Sequence, residues 1–207
     1  ASDVYKRQPL GLRTFFESMV QREIANDKND LPSGIIIKVN SMVDPDLISL
    51  LYDASRAGVK ITLIVRGICC LIPGIEGVSE NITVISIVGQ LLEHSRIFKF
   101  ENGGEPVVYI GSADWMQRNL DKRVELVFPV EDEDLKKRVF GMLDIMMNDT
   151  INARVQKSDM TYVMIDKRGK QPLNSQLEFY RLAKEALEEV KNDRQQPMFV
   201  PKESENN

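Results

Sequence analysis

The feature that most constrains this chain is a strand, helix, strand pattern between Ile35 and Val65. Ile35-Ile36-Ile37-Lys38-Val39-Asn40 comes after the breaker cluster Asn29-Asp30-Leu31-Pro32-Ser33-Gly34. It is a short apolar run rich in β-branched residues, the signature of a buried strand. Asp44-Pro45-Asp46 then opens a helix, with Asp44 suited to the N-cap and Pro45 to the first helical position. Leu47, Ile48, Leu51, Tyr52 and Ser55 form its inner stripe, and Gly58 ends it. Val59 to Val65 is the next strand. Such a unit predicts parallel pairing through a right-handed crossover, with ligands bound beyond the carboxyl ends of the strands. Those ends carry Asn40-Ser41 and Arg66-Gly67. An arginine directly after Ile61-Thr62-Leu63-Ile64-Val65 sits poorly at a buried strand end unless an acid or an anion pairs with it.

The remaining pattern predicts an α/β fold with a mixed, partly parallel β-sheet flanked by helices. Leu12, Phe15, Phe16, Met19, Val20 and Ile24 recur at three and four, an amphipathic helix from Leu10 to Asn26 whose Arg13, Arg22 and Glu23 face water or a partner domain. Ile82 to Val88 is a third strand, leading to His94. Arg96 to Glu101 and Val107 to Ile110 read as a hairpin around Asn102-Gly103-Gly104. Trp115 to Leu120 is a turn or short helix, with Trp115 and Met116 packing residues, and Arg123 to Pro129 a strand. A helix from Glu131 to Asp149, strands Ala153 to Gln156 and Tyr162 to Ile165, and a helix from Asn174 to Val190 complete the series. Residues 1–8 share no pattern with the rest of the chain and are set aside as a non-native leader; 9–192 make one domain; polar 193–207 is expected to be a disordered tail.

Composition removes several classes of function. A formal net charge of −4 over 207 residues argues against a general nucleic-acid binder, while permitting a locally basic pocket for an anionic substrate. No apolar run reaches membrane-spanning length, no signal peptide is visible, and no Walker-type loop or solenoid repeat occurs. Cys69 and Cys70 are adjacent, which disfavours a disulfide, and no metal-ligand spacing surrounds them. A reducing cytoplasm is the simplest setting.

The chain holds one histidine, His94, with Arg96 two positions on. On an extended segment these side chains would face one pocket, where imidazole can move a proton and a guanidinium can hold phosphate oxygens. Glu101 lies seven residues after His94, and Gly111-Ser112-Ala113-Asp114 comes after the next short strand. The order resembles the H-x-K-x4-D motif of the phospholipase D superfamily, with Arg for Lys and Glu for Asp. Two such half-motifs face each other in that superfamily, so one histidine makes at most half a site. Arg118 and Arg123 are further candidate phosphate contacts.

A broader resemblance spans Leu10 to about Val190. Ile37-Lys38-Val39-Asn40-Ser41, Leu51-Tyr52-Asp53-Ala54-Ser55, Leu63-Ile64-Val65-Arg66-Gly67-Ile68-Cys69-Cys70-Leu71, Leu92-Glu93-His94-Ser95-Arg96-Ile97, Ser112-Ala113-Asp114-Trp115-Met116 and Arg123-Val124-Glu125 appear in an order similar to the C-terminal catalytic region of the polyphosphate kinase family, the type with phospholipase D-like domains. That resemblance implies reversible transfer of the ATP terminal phosphoryl group to inorganic polyphosphate through a phosphohistidine in an upstream domain. It implies that Arg66 and His94 contact the nucleotide, that His94 is the second active-site histidine, and that Arg123 is another cationic position. It also implies Mg2+ held upstream, ATP or ADP and polyphosphate as ligands, upstream domains of the same polypeptide, a homo-oligomer, and room for peripheral membrane association, with no nucleic-acid partner and no metal ligands here. Gln90 and Leu91 depart from the family, which has an arginine and an aromatic residue there. Two other readings stay open: a homodimeric phosphodiesterase or nuclease pairing two His94 residues, and a non-catalytic polyphosphate- or nucleotide-binding module.

Overall fold

A computed structural model describes residues 6–7 and 11–194. In chain order these form β1 (Lys6–Arg7), α1 (Leu12–Lys28), β2 (Ile35–Val39), α2 (Pro45–Ala57), β3 (Ile61–Val65), β4 (Ile82–Ile87), β5 (Arg96–Phe100), β6 (Val107–Gly111), α3 (Gln117–Asp121), β7 (Leu126–Pro129), α4 (Glu133–Met147), β8 (Ala153–Gln156), β9 (Tyr162–Met164) and α5 (Ser175–Arg194). The strands make one mixed sheet in the order β1-β7-β6-β5-β2-β3-β4-β8-β9.

The strand, helix, strand unit forms as expected. β2 and β3 pair in parallel, as do β3 and β4, because α2 carries the chain back between the first two. The Asp44 carboxylate accepts the Leu47 N–H at 3.1 Å, satisfying one of the donors that a helix start leaves unpaired. Gly58 ends α2 in the left-handed region at φ 117°, where a side chain would be strained. All other pairings are antiparallel.

Strand alternation sends side chains to two cores. Leu63 and Val65 pack with Phe98, Phe100 and the inner faces of α1 and α2, whereas Ile64, Ile85, Ile87 and Ile97 pack with Leu143 and Met146 of α4. Trp115 is fully buried between Phe16 and Phe98, with ring centroids 5.2 and 6.5 Å away, so it packs as expected. The polar side of α1 meets this chain's own residues. Arg13 pairs with Asp44 and Asp121, both at 2.7 Å, and buried Glu23 accepts the backbone N–H groups of Gly34 and Asn102. Burial pushes the Glu23 carboxyl up, and those two N–H donors oppose the shift.

Element ends shift by up to four residues from expectation, and the fold crosses both expected limits of the domain. Lys6–Arg7, set aside with the leader, add a two-residue strand to β7, and α5 continues two residues into the expected tail, to Arg194. The rest of the leader, 1–5 and 8, and the tail from 195 onward lie outside the described residues.

The sheet register decides which loops meet. β5 runs antiparallel to β2 with Lys38 opposite Ile97, β6 places Gly111 opposite Arg96, β7 places Val127 opposite Gly111, and β8 places Ala153 opposite Ile87. The carboxyl ends of β2, β3, β4 and β6 and the amino ends of β5, β7 and β8 therefore share one end of the sheet. Arg66, His94, Arg96, Asp114, Arg118 and Arg123 all lie on loops or element ends there.

Candidate active site

His94 stands on the loop between β4 and β5, exposed, and its ring makes no hydrogen bond among the described residues. The backbone on either side of it is held by side chains from three other elements. Gln176, at the start of α5, donates to the Leu91 carbonyl at 2.8 Å and to Glu93 Oε1 at 2.9 Å, and accepts the Leu91 N–H at 3.0 Å. Lys38 on β2 donates to the Ser95 carbonyl at 3.2 Å and lies 3.7 Å from the Glu93 carboxylate. Arg96 Nη1 donates to the His94 carbonyl at 2.7 Å. The imidazole is thus exposed and without a partner among the described residues, while the chain that carries it is tied down.

Arg96 does not share a pocket with the imidazole in the way its spacing suggested. β5 begins at Arg96, so His94 precedes the strand and the alternation rule does not reach it. The Arg96 guanidinium is buried and forms a two-point pair with Asp114, Nε to Oδ1 at 3.1 Å and Nη2 to Oδ2 at 2.8 Å. Asp114 Oδ1 also accepts the N–H groups of Asn40 at 2.7 Å and Ser41 at 3.2 Å. With one N–H each of Nε, Nη1 and Nη2 engaged inside the protein, the buried Arg96 positions the histidine loop, and the expected phosphate contact would have to come from its remaining two N–H groups. Glu101 is a second correction. It lies past the far end of β5 and pairs with Lys99 at 2.5 Å, because a strand of five residues separates it from the end that bears His94. The acid that meets the basic residue of the motif is Asp114.

Arg66 behaves differently. It is half-buried, it donates to Asn40 Oδ1, and it has no carboxylate partner among the described residues. Its Nε is enclosed and without a hydrogen-bond partner. A cationic group in this state is suited to receive an anion. Arg118 and Arg123 are exposed, and Arg123 reaches Glu125 at 3.9 Å; neither is drawn into the network around His94.

Lys38, Asp114 and Gln176 were not identified as site residues from the sequence. Lys38 left a signal: a charge inside Ile-Ile-Ile-Lys-Val is costly to bury and needs a reason. Burial pulls its amine below the ordinary lysine value, Glu93 opposes that shift, and the nearby charges of Arg66 and Arg96 reinforce it. This places Arg66, Lys38 and Arg96 in one electrostatic neighbourhood beside the histidine loop. Gln176 left no signal, since 85 residues separate it from Leu91.

The fold is phospholipase D-like. A phospholipase D family member, Nuc from Salmonella typhimurium, superposes with a TM-score of 0.54 at 16% identity, over 74% of this chain and 97% of that one. The sequence is more specific: residues 7–176 match the model for the polyphosphate kinase C-terminal domain 2, and the chain belongs to that family. Polyphosphate kinase from Lactiplantibacillus plantarum is 49% identical over 179 residues, covering 86% of this chain and 25% of its own length. The Escherichia coli K12 enzyme is 45% identical over 172 residues, covering 83% and 25%. The crystal structure of polyphosphate kinase from Porphyromonas gingivalis superposes with a TM-score of 0.85 at 38% identity, over 89% of this chain and 28% of that one. The chain therefore spans about a quarter of the length of these relatives.

Proposed function

We propose that this chain is the C-terminal catalytic part of a polyphosphate kinase, working in the cytoplasm on ATP or ADP and inorganic polyphosphate. The observation that carries the reading is an exposed, uncommitted imidazole on a braced loop, at the same sheet end as a guanidinium with no acid partner. His94 donates a proton to, or accepts one from, the transferring phosphoryl oxygens, while Arg66 neutralises charge that builds on them. Arg118 and Arg123 extend the cationic surface toward the polyanion. The covalent step belongs to a phosphohistidine contributed by the upstream part of the polypeptide. Magnesium is implied by the family, and on that resemblance its ligands are assigned to the upstream part; the described residues assemble no group of three or more His, Cys, Asp or Glu side chains, and no step here runs through the ion.

The test is His94→Ala in the full-length protein. Phosphoryl transfer in both directions is expected to fall by about 100-fold or more, with thermal unfolding unchanged because the ring makes no bond in the fold. Turnover near the parent level would take His94 out of the chemistry. Measured alone, this chain should form no ATP from ADP and polyphosphate.

A further inference from the structure

A cleft of about 580 Å³ opens at the sheet end between the close of β3 and the β8–β9 hairpin. Arg66, Ser86, Asn152, Arg154 and Tyr162 supply its polar lining, with no Asp or Glu among its walls. Arg154 stands opposite Ser86 on one side and Met164 on the other, so the ladder turns these three side chains to one face of the sheet. Arg154 is exposed and makes no hydrogen bond or ion pair among the described residues. Two guanidinium groups therefore line one recess with no carboxylate between them, an arrangement that repels itself when empty and is relieved by an anion. The volume falls in the range of small-molecule clefts and exceeds what one phosphate would fill. The Ser86 hydroxyl and the Asn152 amide add neutral donors for non-bridging oxygens, while the Tyr162 phenol donates to Gln156 Oε1 at 3.0 Å and lines the wall.

We propose that this cleft seats a chain of phosphoryl groups linked as phosphoanhydrides, and that Arg154 is its second guanidinium contact alongside Arg66. The inference rests on reading Arg66 as a phosphate contact and adds a residue and a direction to it: the ligand runs from β3 across β4 toward β8. The phosphoanhydride chain can be the tail of ATP or inorganic polyphosphate itself.

Titration calorimetry of the full-length protein with tripolyphosphate, ATP and AMP tests this. Arg154→Gln should weaken tripolyphosphate, ATP or both by about tenfold or more, as expected for a lost charge-assisted contact, and Arg154→Lys should keep part of the affinity. Loss with both ligands identifies an inorganic chain as an occupant; loss with ATP alone identifies the nucleotide tail. Arg154 is exposed, so the unfolding temperature should match the parent, and Arg56→Gln on α2 serves as the charge control. If both ligands bind the parent, Arg66→Gln loses them and Arg154→Gln stays within twofold, the role of Arg154 is overturned and that of Arg66 stands. If the parent binds neither ligand, or Arg66→Gln is also silent, both readings fall.

Discussion

At the scale of single residues, the site is governed by which charges are paired. Arg96 and Arg66 are the same chemical group at the same sheet end, yet Arg96 commits its Nε and one N–H of each terminal nitrogen to Asp114 and the His94 carbonyl, and Arg66 keeps an enclosed Nε without a partner. Position relative to the strand decides this. Arg96 begins β5 and points to the face where Asp114 waits, whereas Arg66 comes directly after the last residue of β3. Asp114→Ala should therefore be severe. It strands a buried guanidinium and two backbone donors, at a cost of about 3–5 kcal/mol, readable as a lower urea midpoint. Adding Arg96→Met should restore part of the loss, because removing both charges leaves none unpaired. A double variant as unstable as Asp114→Ala would show that the backbone donors of Asn40 and Ser41, rather than the ion pair, set the cost.

At the scale of elements, the decisive one has no regular structure. The loop from Val88 to Ser95 carries His94 and is held from β2 by Lys38, from β5 by Arg96 and from α5 by Gln176. Gly89 permits the last contact: a Cβ there would overlap Gln176 Oε1 and stand 2.7 Å from its Cδ. Gly89→Ala should push Gln176 away and loosen the loop. Turnover is expected to drop by about tenfold or more with KM little changed, since small displacements of a reacting group are costly, and hydrogen exchange of the Leu91 amide should quicken. Unchanged exchange at Leu91 would mean that Gln176 is not what holds the loop.

At the scale of the whole molecule, the two helical layers reach the site by different routes. α1 and α2 pack on one face and bring Asp44 and Arg13 together, while α4 and α5 cover the other, and α5 delivers Gln176. Asp149 is the joint for that second layer. Its Oδ1 accepts the N–H groups of Ile151 and Asn152 at 2.8 and 2.7 Å, and its Oδ2 accepts the N–H and hydroxyl of Ser175 at 2.8 and 2.7 Å. Burial alone would raise this carboxyl, but these donors outweigh it and hold the group below its ordinary value of 3.8. A depressed folded value means that the stabilisation is present above the unfolded value and is lost as pH falls through the folded one. Asp149→Asn should cost about 2–4 kcal/mol near neutral pH, and the gap to the parent in urea unfolding should narrow as the pH is taken below about 4. A gap that stays constant on acidification would remove the carboxylate from the account. What the sequence determined by itself is what short-range physics controls: the parallel unit from Ile35 to Val65, through its β-branched runs, the Asp44 cap and the Gly58 stop, and the placing of the lone histidine in the segment that follows the third strand. What the tertiary structure alone decided is how the charged groups pair. Asp114 in place of Glu101, Gln176 reaching Leu91, and Arg154 lining the same cleft as Arg66 all depend on sheet order and register, which bring together residues too far apart along the chain for any local pattern to link.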